Sequence, residues 1–130
     1  MAVKMSLRAC ATLALLLGIV LWILTSTIGL AASVYTTLII IHIILAIGVL
    51  VLAIVVLFLP APTTGNIRLF QGIVVLLAIC TMLVGFLQYR EIFDGIAASI
   101  THLILALATV GLIETTLARQ KRNERAAQSA

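Results

Sequence analysis

Charge is what this sequence has least of. Only 9% of its 130 residues are Asp, Glu, Lys or Arg, against roughly 25% in an ordinary soluble domain. Nothing charged stands between Arg8 and Arg68, and two further uncharged runs cover 69–89 and 95–113. A chain with so few solvated groups cannot cover the surface of a soluble globule, and 64% hydrophobic residues exclude a disordered chain. Cysteine is almost as scarce. Cys10 and Cys80 lie in apolar runs, which excludes a disulfide framework and leaves them as small hydrophobes. Aromatics make up 5%, and none alternate with the basic residues, so the net charge of +4 does not describe a nucleic-acid groove. The acids are Glu91, Asp94, Glu114 and Glu124. None falls in the first apolar run, which argues against a small four-helix drug exporter. Paired core carboxylates, a Gly-rich phosphate loop and a nucleophile beside a base are likewise absent.

What is present is four apolar stretches, each near the twenty or so residues that a spanning helix needs. They cover about 10–30, 35–59, 67–89 and 92–118. Pro60 and Pro62 close the second, since neither can continue a helix, and 60–66 is the only Pro-rich linker. The expected fold is all-α: an integral membrane, up-down-up-down four-helix bundle in 1–118, followed by a basic cytoplasmic tail in 119–130. The tail is polar and is expected to be helical only at its start. A spanning β-barrel would alternate every second residue, and this chain does not.

Orientation follows from the cations. Lys4, Arg8, Arg68, Arg119, Lys121, Arg122 and Arg125 collect on one side, while Arg90 stands alone on the other. Both termini are therefore expected in the cytoplasm, with Tyr35 and Tyr89 at the outer interface and a prokaryotic plasma membrane as the location. A cleaved signal peptide is the competing reading of the N-terminus, although its apolar stretch is longer than such peptides use. Membrane lipid is the first expected partner, and the basic tail suits its anionic headgroups.

An internal repeat gives the pattern more structure. At an offset of 60, His42-Ile43-Ile44-Leu45-Ala46 matches His102-Leu103-Ile104-Leu105-Ala106; at 54, Gly18-Ile19-Val20 matches Gly72-Ile73-Val74 and Thr27 matches Thr81. Aliphatic matches are cheap in such a composition. The histidines are not, because the chain has two and both fall in register. The copies are parallel helical hairpins.

Ionisable groups at membrane depth are costly and mark candidate sites. His42 and His102 lie on the second and fourth helices, at similar depth, roughly 10–15 Å from the outer helix starts. In this topology those helices are diagonal, roughly 12–14 Å apart between axes. Such a gap suits one planar macrocycle with an imidazole on each face of its iron. Structural zinc suits it less, since it takes four ligands and two are in sight. The expected cofactor is haem b or a related haem, with His42 and His102 as iron ligands. Ala46, Ala98 and Ala106 leave space on the histidine faces, and equally allow close helix packing.

Helices two to four also resemble one half of the heme A synthase family. The matching strings are 42–46, Phe70-Gln71-Gly72 opening the third helix, and 101–106. The resemblance implies a four-helix bundle able to hold a haem between two histidines; other four-helix b-type cytochromes share the pattern. Leu38 stands where the family's catalytic half has glutamate, Ile43 stands where it has arginine, and the outer-loop cysteine pair is missing. Oxidation of a haem methyl group would thus need another route.

Arg90 is a candidate for a haem propionate, with Glu91 and Asp94 as competing partners. Glu114 is expected to pair with Arg68 or Arg119. Thr25, Ser26, Thr27 and Thr81 are expected to bond the preceding turn of their own helices. The functional expectation is a b-type cytochrome with one bis-histidine haem near the outer leaflet, for electron transfer or haem handling. Its partner would be a respiratory complex or a second copy, because one haem on the outer side does not cross the bilayer. The alternatives are a haem-free accessory subunit with hydrogen-bonding histidines, and a haem-modifying enzyme.

Overall fold

The computed structural model describes residues 2–59 and 66–129, with the side chain of residue 127 left aside. The proline linker expected at 60–66 falls almost wholly outside the described residues. Four helices account for nearly all the rest: α1 Ala2–Thr27, α2 Ala32–Phe58, α3 Ile67–Tyr89 and α4 Gly95–Gln128. All four are long and apolar enough to cross a membrane.

The helix ends have local causes. After Thr27 the backbone turns at Gly29, whose φ of +69° is readily adopted only without a Cβ. The Gly29 amide bonds the Leu24 carbonyl at 3.1 Å and closes the last turn of α1. Two residues later Ala31 accepts from Val34 and Tyr35, which starts α2. Glu91 takes a positive φ of 56° in the tight α3–α4 connection, and Gly95 opens α4 at +80°.

Sequential helices pack side by side within each hairpin, and α1–α4 and α2–α3 close the ring. The diagonal pairs make no close backbone contact among the described residues. This is the expected all-α bundle. One end carries both chain termini; the other carries the α1–α2 and α3–α4 connections. Exposed aliphatics such as Leu13, Ile44, Leu76 and Ile104 face outward along the middle of each helix.

The buried core lies towards the termini end. Leu7, Ala11, Ala14, Val49, Ala53, Val56, Val74, Ile113 and Leu117 form one cluster there. Its many alanines bring the helix backbones together, as small residues do between spanning helices. Two ion pairs tie α1 to α4 at the same end: Lys4 Nζ to Glu124 at 2.8 Å, and Arg8 to Glu114 at 2.7 Å.

Three expectations change here. α1 begins at Ala2, a full two turns before the expected span. α4 continues through the supposed tail to Gln128, because the Ala, Arg, Lys, Glu and Gln residues of 118–128 are strong helix formers. That stretch is also anchored: Gln120 is buried, Glu124 meets Lys4, and Arg119 stacks 4.6 Å above the Phe70 ring. Glu114 pairs with Arg8 instead of Arg68 or Arg119, since the face of α4 that carries it lies against α1.

The repeat is visible in burial. Between α2 and α4 the offset of 60 holds, with Val49, Ala53 and Val56 matching Thr109, Ile113 and Thr116, all buried. Between α1 and α3 the matching offset is 67 and not 54. Leu7 and Ala11 correspond to Val74 and Ala78, again all buried. The Gly-Ile-Val match at 54 placed Gly18 opposite Gly72, yet a Cβ on Gly72 would touch nothing, whereas Gly18 lies against an imidazole.

Candidate functional site: the paired histidines

His42 lies ten residues into α2 and His102 seven residues into α4, about 15 Å and about 10 Å from the helix starts. Their helices are diagonal, but the side chains reach across. The ring centroids are 6.1 Å apart with the planes at 62°. The chain's two histidines therefore meet at the centre of the bundle, on the connection-end side of the aliphatic core.

Each imidazole rests on a glycine of the preceding helix in its own hairpin. A Cβ on Gly18 would come within 3.0 Å of His42 Cε1, and one on Gly85 within 2.7 Å of His102 Cε1. Real Cβ atoms essentially never approach that closely, so only glycine admits His102 at this position without displacement. One turn earlier on the same helices, the carbonyl of Ala14 lies beside His42 and that of Thr81 beside His102. Neither closes a hydrogen bond of good geometry, and both buried Nδ1 atoms are without a partner. Ala14 and Thr81, like Gly18 and Gly85, are 67 positions apart. The site thus consists of two equivalent halves, each with one imidazole, one glycine and one carbonyl.

The halves differ in polarity. Thr81 Oγ1 donates to the Leu77 carbonyl at 2.7 Å and lies 3.3 Å from Thr109 Oγ1, which donates to Leu105. The equivalents in the first hairpin are Ala14 and Val49. Ala98, one turn before His102, is wholly buried, while Ala46 and Ala106 are half-buried.

Two facing neutral imidazoles suit a metal centre. The second nitrogen of a ligating histidine normally donates to a carbonyl or carboxylate, which fixes the tautomer. The Ala14 and Thr81 carbonyls are the nearest candidates for that role, although neither closes the bond here. In donor type and number, two imidazoles are what a haem iron would take from a protein.

Arg90 is not brought to the histidines. It is exposed just past α3, with its amide bonded to Phe86 at 3.0 Å. Among the described residues it forms no ion pair with Glu91 or Asp94. The threonines behave as expected, Thr25 bonding Leu21 and Thr27 bonding Ile23. Sequence reasoning missed Gly18 and Gly85. Their signal is the parallel spacing Ala11-x6-Gly18 and Ala78-x6-Gly85, which stands out only once the 67-residue offset is known.

No family model matches the chain, and no curated protein or solved structure matches it.

Proposed function

We propose that this chain is a membrane b-type cytochrome-like protein holding one haem b between His42 and His102, for electron transfer or haem handling. One observation carries the reading: the chain's only two histidines meet across the diagonal of the bundle at 6.1 Å. When bound, haem supplies reversible one-electron chemistry. His42 and His102 provide one neutral nitrogen each. The Ala14 and Thr81 carbonyls are the nearest backbone acceptors to the two rings, while Gly18 and Gly85 set how deep each ring sits. Both imidazoles are half-buried among aliphatic residues. Arg90, five residues or about 7.5 Å beyond Gly85 along the chain axis, is the cation available to a propionate.

The bundle sits in this reading in a prokaryotic plasma membrane with both termini cytoplasmic, as the cation asymmetry favours. The histidines then lie towards the outer leaflet, and transfer across the bilayer requires a partner, either a respiratory complex or a second copy. A haem-free structural role is the second reading, favoured by the edge-to-face packing of the two rings.

Visible spectra of the purified protein, oxidised and dithionite-reduced, separate the two. The wild type is expected to show a Soret band that shifts on reduction, and His42→Ala and His102→Ala are each expected to lose the six-coordinate low-spin form. Absence of any Soret band after haem supplementation overturns the cytochrome reading. A spectrum indifferent to both substitutions overturns the ligand assignment.

A further inference from the structure

The two halves of the histidine site are held with unequal firmness. Polar side-chain contacts between α3 and α4 bracket His102 on both sides. Towards the connections, Gln88 Nε2 donates to Ser99 Oγ at 2.8 Å, and Ser99 Oγ donates to the Gly95 carbonyl at 3.2 Å. Ser99 precedes His102 by three residues and Gln88 follows Gly85 by three, so each lies one helical turn from the seated ring. Towards the termini, the Thr81 and Thr109 hydroxyl oxygens stand 3.3 Å apart.

The first hairpin has nothing comparable. Leu21 and Ile39 stand where Gln88 and Ser99 would be, and Ala14 and Val49 replace the two threonines. Thr36 and Thr37 of α2 bond carbonyls of their own helix. Among the described residues, no side-chain hydrogen bond joins α1 to α2 at the level of His42. Packing adds to the inequality. A Cβ on Gly85 would meet His102 at 2.7 Å, against 3.0 Å for Gly18 and His42. Ala98, one turn before His102, is wholly buried, while its equivalent Leu38 is half-buried.

We infer that His102 is the fixed member of the pair and His42 the yielding one, so that a small ligand entering between the rings displaces His42. The identity of the metal rests on the haem reading. On that reading the neutral imidazole of His42 gives up its bond to the iron, and a small uncharged donor such as carbon monoxide takes its place while His102 stays bonded. Moving His102 would disturb directional contacts on both sides of it. Moving His42 disturbs only apolar packing, which has no preferred direction. Gln88, Ser99, Thr81 and Thr109 are thus positioning residues that act through His102.

The test compares His42→Gly with His102→Gly in the full chain loaded with haem b. His42→Gly is expected to keep its haem on His102 and to bind carbon monoxide without the delay that His42 release imposes on the wild type. His102→Gly is expected to lose haem roughly five- to thirtyfold faster than His42→Gly, the worth of one to two net hydrogen bonds. Gln88→Leu/Thr109→Val, built into each glycine variant, should remove most of that difference. Equal haem loss from the two glycine variants overturns the inference, as does a difference that the double substitution leaves unchanged. Relaxation of the imidazole Cε1–H groups by NMR, on the protein without haem, is the second readout. The His42 ring should be the more mobile, and equal mobility overturns the inference. A wild type that takes up no haem overturns the cytochrome reading, and unequal ring mobility in that same protein still supports the inequality.

Discussion

The two ends of the bundle are built on different plans. Towards the termini, aliphatic side chains and alanines pack into a continuous core, and two ion pairs tie α1 to α4. Towards the connections the centre is given to two imidazoles, each resting on a glycine. One end is stabilised by many interchangeable contacts; the other depends on a few exact ones. Stability and the site can therefore be attacked separately.

Ile113→Ala should have the largest effect on stability. Ile113 is 1% exposed at the heart of the core, and removing such a side chain costs about 2–5 kcal/mol. Thermal unfolding in detergent should show the loss, while the redox spectrum of the surviving folded protein stays unchanged. Equal damage to both would show that the two ends are one cooperative unit.

Gly85→Ala comes next, with the opposite signature. Its new Cβ would press on His102 Cε1 from 2.7 Å, and overpacking of this kind costs about 1–3 kcal/mol. Displacement of the imidazole should weaken haem retention and alter the reduced spectrum. Gly18→Ala, at 3.0 Å, should do the same more mildly. If Gly85→Ala leaves the spectrum intact, the glycine seat does not position the ligand.

The smallest effect is expected from Lys4→Gln. Its partner Glu124 is half exposed, and such pairs contribute at most about 1 kcal/mol, less as salt rises. The difference from wild type should vanish at high ionic strength. A persistent loss would show that the α1–α4 end is held by more than surface charge.

Much of this architecture could be read before any coordinates. Long uncharged apolar runs dictate four helices, and short connections dictate antiparallel neighbours. The matching histidine strings placed two ionisable groups on diagonal helices at one level. What escaped was relative register. Whether Gly18 or Gly72 matters depends on which residue of α1 faces His42, and an aliphatic sequence carries almost no information about helix rotation. The same uncertainty hid the partner of Glu114. The extension of α4 was missed for another reason: its polar composition reads as a solvated tail, but its residues favour helix and find anchors on α1 and α3.

The glycine seats have a consequence for how the site is assembled. Each hairpin brings one imidazole, one glycine and one carbonyl, all from its own two helices. The site is thus a junction between two half-sites, and neither hairpin needs the other to shape its share. A ligand held between the imidazoles would meet nearly the same surroundings from both hairpins. The Thr81–Thr109 pair, matched by Ala14 and Val49 in the first hairpin, is a feature at this level by which such a ligand could tell one hairpin from the other.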